Sequence, residues 1–317
     1  MGRLVDRVLR RGLAVAAGLA LDRLLGEPPS GVHPVALLGR ALGAVERRDY
    51  SDSRVAGLAH LAVGLGVGGA VAAGVGRATC GSRLGKSLSL AVVTELAVAG
   101  RMLGRSAQRI GDALVAGDLP VARHLLPTLV GRDPEGLTAQ EIRRAVVESV
   151  AENTVDAVTA PVFWGVVGGV GGVVAHRIVN TLDAMVGHHS ERYEHFGWAS
   201  ARLDDGAAWL PARLTALSVA VLRPSAARAI WIAVRDQAPA HPSPNGGVVE
   251  AAFAAALGVR LGGSNRYGDR VEDRPALGWG APPEPADIDA AVRLLHEVTA
   301  CWAGVLLAAG LLGRRRG

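Results

Sequence analysis

GRDPEGLTAQEIRRAVVESVAENTVDAVTAPVFW, running from Gly131 to Trp164, decides the fold, because it carries charge up to the point where the chain turns apolar. Thr138 followed three residues later by Glu141 reads as a capping box, and it opens a helix through Ile142, Ala145, Val146 and Val150. On that helix Glu148, Glu152 and Asp156 stand at i, i+4 and i+8, a spacing that drifts only about 40° per step and predicts three carboxylates on one face. Arg143 and Arg144 precede the row and Asn153 sits beside it, so no basic residue interleaves with the acids. A row of this kind suits Mg²⁺, which takes a few carboxylate oxygens and keeps water or phosphate oxygens for its other positions. The competing reading is a solvated helix face. What weighs toward a site is the sequel, Val158 to Val174, almost wholly apolar and too long for an ordinary strand.

Half of the 317 residues are hydrophobic and few are aromatic, a composition that points to a membrane. Apolar, Gly- and Ala-rich runs occur at residues 55–76, 88–100, 157–174, 207–222 and 298–312. Only the first is uninterrupted and of comfortable length; in the others Glu95, Arg213 or a proline intervenes, or the run is short. Gly64, Gly66, Gly68, Gly69 and Gly74 would let helix backbones approach closely. The expected fold is all-α: a polytopic integral membrane helical bundle with cytoplasmic polar helices and loops, in a single domain over 1–317.

The net charge of +5 is carried by arginine, Lys86 being the only lysine. Arg3, Arg7, Arg10, Arg11 and the Arg314–Arg316 tail flank apolar segments and read as cytoplasmic anchors; with no aromatic residues interleaved they do not read as a nucleic-acid stripe. Cys80 and Cys301 stand alone, which indicates neither a disulfide framework nor a zinc site.

In chain order, Gly26-Glu27-Pro28-Pro29 breaks a helix, and His33-Pro34 opens another, with His33 as a capping or a catalytic residue. The GSRLGKS segment from Gly81 lacks Walker A spacing. Between Ala175 and Leu217 polar groups crowd together: Arg177, Asn180 and Asp183 at every third residue, then His188, His189, His195, Asp204, Asp205 and Arg213. The histidine spacing does not fit a zinc site. Arg213, beside Pro211 at the mouth of an apolar run, either snorkels to the interface or grips a phosphate. Pro244-Asn245-Gly246-Gly247 and Gly262-Gly263-Ser264-Asn265 are permissive turns whose amides could approach an anion, or ordinary loops.

These blocks together resemble the CobD/CbiB family of cobalamin biosynthesis. The resemblance runs through the GEP at Gly26, HPV at His33, VGRDPEGL at Val130, RAVVESVAENTVDAVTAP at Arg144, NTLDAMVG at Asn180, FGWASARLDD at Phe196, PARLTAL at Pro211, SPNGG at Ser243 and LGG at Leu261. It departs from the family pattern at Ala208, at Gly246 and at Arg266. The resemblance implies a multi-pass cell (inner or plasma) membrane enzyme, an adenosylcobinamide-phosphate synthase. Such an enzyme joins adenosylcobyric acid to (R)-1-amino-2-propanol or its O-phosphate through an amide bond, using ATP with Mg²⁺, in contact with membrane lipid and with no nucleic acid. It also allows a homo-oligomer or association with other enzymes of the pathway. The chemistry such a reaction needs makes Glu148, Glu152 and Asp156 the candidate Mg²⁺ ligands. Asp204 and Asp205 would complete the ion site or accept the ammonium proton, Arg132, Arg144, Arg177 and Arg213 would clamp phosphate, and Asn153, Asn180, Asp183, Asn245 and Asn265 would orient substrate. A membrane transporter or a non-catalytic cobamide-binding scaffold is the alternative, since either would carry similar apolar helices and intramembrane polar groups. Placing every polar block on the cytoplasmic side requires that the 157–174 run not span fully, leaving four spans.

Overall fold

The computed structural model describes residues 2–27, 31, 33–131, 133–188, 190–267 and 270–314, with the side chains of 2–4, 265–267, 270–272 and 314 left aside. Its helices are α1 (Gly2–Leu25), α2 (Pro34–Asp49), α3 (Arg54–Ala78), α4 (Arg83–Ala97), α5 (Gly100–Val115), α6 (Leu119–Leu125) and α7 (Ala139–Thr154). After a π turn at Val155–Thr159 follow α8 (Ala160–Gly168), α9 (Val170–Val186), α10 (Trp198–Leu222), α11 (Ala227–Asp236) and α12 (Gly246–Leu257). Strands β1 (Leu261–Tyr267) and β2 (Arg270–Leu277) precede the last helix, α13 (Pro285–Arg314).

The expectation of an all-α chain needs one correction. β1 and β2 form an antiparallel hairpin, with Leu261 opposite Leu277 and an irregularity between Leu261 and Gly263. Gly262 lies at φ +84°, and a Cβ there would sit 2.0 Å from the Pro275 carbonyl oxygen, so only glycine fits. A glycine pair is a weak strand signal, which is why the segment reads as a loop in sequence.

Among the described residues three helices are long and apolar enough to cross a membrane: Arg54–Ala78, Arg83–Val115 and Pro285–Gly313. The pair Trp198–Leu222 and Pro224–Ala240, bent by 110°, makes a fourth if it counts as one span. The 157–174 run is not one helix: it passes through the π turn, α8, and a break at Gly169 (φ +66°) into α9.

The chain divides into two compact units. The first comprises Met1–Ala99, Asp156–Ala208 and Trp302–Gly317, the second Gly100–Val155 and Trp209–Cys301. In the first, α3 packs on α9 over a core of Leu42, Leu61, Ile178, Val179, Leu182 and Ala199. The approach is close at Gly68, where a Cβ would meet Ile178 Cδ1 at 2.1 Å, whereas Gly66, Gly69 and Gly74 face open space. In the second unit α5 and α12 pack on α7, burying Ile110, Ile142, Val146 and Phe253 completely.

Two helix irregularities have their orphaned backbone groups satisfied. Val98 adopts an extended conformation that ends α4, and the Ala99 amide turns to the Ala157 carbonyl in the π turn at 2.9 Å. In α10, Pro211 has no N–H to give to the Ala207 carbonyl four residues earlier, and the Trp164 indole N–H donates to it at 3.1 Å.

Candidate active site in two polar clusters

Two helix starts read from the sequence position the site. The Thr138 amide donates to Glu141 Oε2 at 2.8 Å and the Glu141 amide to Thr138 Oγ1 at 3.3 Å, the reciprocal capping box that fixes α7. His33 caps α2: its Nδ1 accepts the Val35 amide at 3.2 Å, which leaves the ring proton on Nε2.

The first unit gathers its charges around Arg177. Its Nη1 donates to Asn180 Oδ1 at 3.4 Å, and Asn180 Nδ2 donates to Asp204 Oδ1 at 3.5 Å, linking α9 to α10. Asp204 is buried and within electrostatic reach of Asp156, Asp183 and Asp205. Asp156 and Glu27 in turn act on Arg177, whose pKa burial lowers while those carboxylates oppose the fall. Glu27 is pushed up to about 7, by burial first and then by Asp22, with Arg177 opposing and Glu95 adding to the rise. His33 Nε2 stands 3.8 Å from Glu27 Oε2. Burial, reinforced by Arg177, pushes His176 down to about 3, so it is neutral at physiological pH. Beside this cluster, Arg177, Asn180, Thr181 and the flat Gly39 and Gly43 surface of α2 line a mostly apolar cavity of about 640 Å³. Asp205, on the same helix as Asp204, lies 3.9 Å from Arg202.

The second unit holds the other candidates. Glu148, 2% exposed, accepts the Gly262 amide through Oε1 at 2.8 Å. Arg144 donates from Nη1 to the Gly262 carbonyl at 2.5 Å and from Nη2 to the Ser264 carbonyl at 2.6 Å, so its guanidinium binds the hairpin backbone. Asn153 donates to the Ser149 carbonyl at 2.9 Å within its own helix. Glu152 looks toward the SPNGG turn, its Oε1 lying 3.1 Å from where a Cβ on Gly246 would be. In that turn the amides of Asn245 and Gly246 are taken by Ser243 Oγ at 3.3 and 3.0 Å, and the Gly247 amide donates to the Ser243 carbonyl at 3.4 Å. These amides therefore close the turn on itself. Arg213 Nη1 donates to Asn245 Oδ1 at 3.1 Å, Nη2 to the Pro244 carbonyl at 3.2 Å, and the guanidinium lies 4.3 Å over the Trp209 ring. Arg132 and His189 lie outside the described residues; Asn265 lies in β1, with its side chain outside them.

The acidic row thus divides. Glu148 and Glu152 belong to the second unit and Asp156 to the first, beyond the point where the π turn departs from the 3.6-residue period. Among the described residues no group of three or more His, Cys, Asp or Glu side chains is gathered as a metal site.

A second buried group went unread in the sequence. Glu250 in α12 is fully buried, with His241 Nε2 at 3.4 Å and Arg274 Nη1 at 3.9 Å from its Oε1. Arg274 also lines a small cavity of about 130 Å³ with Glu148, Ser149, Glu152 and Asn153. The available signal was one acid inside the apolar run Val248 to Leu257, since a buried charge demands partners.

The fold and these clusters define a class: a helical protein with helices suited to a membrane and with buried ionisable groups. The chain belongs to the CobD/Cbib protein family, whose model matches residues 15–295. It is 44% identical to the cobalamin biosynthesis protein CobD of Mycobacterium tuberculosis (strain CDC 1551 / Oshkosh) over 309 residues, covering 96% of this chain and 97% of that one. The protein of the same name from Chromobacterium violaceum is 42% identical over 313 residues, 96% and 98% of the two chains. That of Geobacter metallireducens is 42% identical over 298 residues, 90% and 92%. No solved structure matches.

Proposed function

We propose that this chain acts in cobalamin biosynthesis as a multi-pass cell-membrane ligase. It would join adenosylcobyric acid to (R)-1-amino-2-propanol or its O-phosphate, at the expense of ATP, to give adenosylcobinamide or its phosphate. The observation that carries the reading is family membership over nearly the whole chain, supported by helices long and apolar enough for a bilayer and by the buried carboxylates Glu148, Asp204 and Glu250.

A carboxylate does not condense with an amine at neutral pH. In the proposed sequence a carboxylate oxygen of the corrinoid attacks the γ-phosphorus of ATP, the bond to ADP breaks, and an acyl phosphate forms. The amine then attacks the acyl carbon, phosphate leaves, and the ammonium proton passes to a carboxylate. Asp204, held by Asn180, and its neighbour Asp205 are the proposed acceptors. Arg177 and Arg213 are the proposed phosphate-facing cations, with Asn180, Asp183 and Asn245 orienting them or the substrate; Arg144 is a further proposed phosphate clamp, held on the hairpin backbone. Arg132, Asn153 and Asn265 remain proposed phosphate- or substrate-orienting residues. Glu152, with Glu148 and Asp156, would be the proposed carboxylates for Mg²⁺, which would supply charge neutralisation on the phosphates when bound.

Substrate-dependent release of ADP or AMP by the purified, detergent-solubilised protein tests the proposal. Release only when corrinoid carboxylate and amine are both present, with formation of the amide, supports the ligase. Saturable corrinoid binding without turnover supports a transporter or scaffold instead.

A further inference from the structure

A second cavity in the first unit, about 530 Å³, carries charge of one sign only. Arg7, Arg10 and Arg11 of α1 and Arg83 and Lys86 of α4 line it, and no acidic side chain does. Two of the five are engaged: Arg10 pairs with Asp6 at 2.5 Å, and Arg11 reaches the Val166 and Val167 carbonyls near the end of α8. Arg7, Arg83 and Lys86 are exposed at its mouth. Gathering like charges costs free energy in the absence of an anion, so the arrangement points to a ligand carrying negative charge.

The position of the cavity narrows the ligand. Val75, Gly76 and Thr79 bring in the end of α3, so the cavity sits where two candidate spans, Arg54–Ala78 and Arg83–Val115, meet across a short turn. On those same helices Val67, Val71, Leu84, Leu88 and Val92 are exposed aliphatic side chains, 47% to 67% exposed. A charged mouth above an exposed aliphatic flank matches a phospholipid, headgroup against the cations and acyl chain along the helices. We propose that this cavity binds a phosphate ester, that of an anionic membrane phospholipid or of a soluble phosphate compound, at a site separate from the Arg177 and Glu250 clusters.

The test uses the purified full-length protein and three probes: short-chain phosphatidylglycerol, the zwitterionic phosphatidylcholine of the same chain length, and inorganic phosphate. Binding is read by native mass spectrometry and by thermal shift, at two salt concentrations. Phosphatidylglycerol should bind in preference to phosphatidylcholine, and more weakly at the higher salt. In Arg7→Gln/Arg83→Gln/Lys86→Gln its affinity should fall on the order of a hundredfold, each basic side chain near an anionic surface contributing roughly fivefold. Lys86→Gln alone changes one exposed side chain, so it retains the fold, and should lose about fivefold. Competition by millimolar inorganic phosphate would assign the source to a soluble phosphate compound; preference for the lipid without such competition assigns it to the membrane. Equal binding of the two lipids with no binding of phosphate, or undiminished binding by Lys86→Gln and the triple variant, overturns the proposal.

Discussion

Glu148 Oε1 accepts the amide of Gly262 at 2.8 Å, so a buried carboxylate on α7 fixes the start of a hairpin 114 positions further along the chain. Arg144, one helical turn before it, holds the Gly262 and Ser264 carbonyls from the same side. Glu148→Ala is expected to leave that amide unpaired and cost about 1–3 kcal/mol, seen as a lowered unfolding midpoint in detergent. Glu148→Gln keeps an acceptor and should lose less. Equal midpoints for both variants and wild type would show that the contact does not hold the hairpin.

Glu152→Gln should abolish amide synthesis while leaving expression and membrane insertion intact, because it removes a charge with little change of shape. If the carboxylate acts through nucleotide-bound magnesium, excess Mg²⁺ should restore part of the rate. Wild-type turnover in the variant would make Glu152 a structural neighbour of the SPNGG turn.

Arg213→Lys is not a conservative change. A planar guanidinium reaches Asn245 Oδ1 and the Pro244 carbonyl at once while stacking on Trp209; a single ammonium cannot reproduce that geometry. The expected outcome is a raised KM for the phosphorylated amine, several-fold or more, with a smaller change in kcat. An unchanged KM assigns Arg213 to anchoring the turn.

Gly246→Ala and Gly247→Ala separate two adjacent glycines. A Cβ on Gly247 would lie 2.4 Å from His241 Cβ, a clash with a buried side chain, whereas one on Gly246 would come no closer than 3.1 Å to Glu152 Oε1 and 3.3 Å to Ser243 Oγ. Gly247→Ala should destabilise by about 1–3 kcal/mol and Gly246→Ala by much less. Comparable unfolding midpoints for the two would contradict the packing described.

Glu27 gives a pH dependence. Its folded pKa, about 7, lies above the ordinary glutamate value, so the folded state binds its proton more tightly than the unfolded chain does. Its contribution to stability is fully present below the ordinary value and is lost as pH rises through 7. Glu27→Gln should flatten the fall in unfolding midpoint between pH 5 and 8; an unchanged slope would show that another group carries it.

The sequence was most legible where a signal is local. The Thr138–Glu141 box, the His33 cap and the long apolar helices each follow from residues a few positions apart, and so they could be read before any tertiary contact was known. The hairpin was missed because its defining pair, Gly262 and Gly263, acquires meaning only against Pro275 and Arg144, which are distant in the chain. The acidic row was read at a constant 3.6-residue period, which the π turn interrupts, so Asp156 joins Arg177 and Asp204 in the first unit. Glu250 was passed over because its partners, His241 and Arg274, come from a loop and a strand on either side of its helix.

The hydrogen bond from the Ala99 amide to the Ala157 carbonyl ties the end of one helix to the surplus residue of another. Deleting one residue from Val155–Thr159 would restore regular α geometry there, yet it would withdraw the acceptor on which a buried amide depends. Straightening the backbone at Val98 alone would likewise leave the Ala157 oxygen without its donor. Length changes at the two places are therefore tolerable only in concert, and a lineage that repaired one irregularity would be under pressure to repair the other.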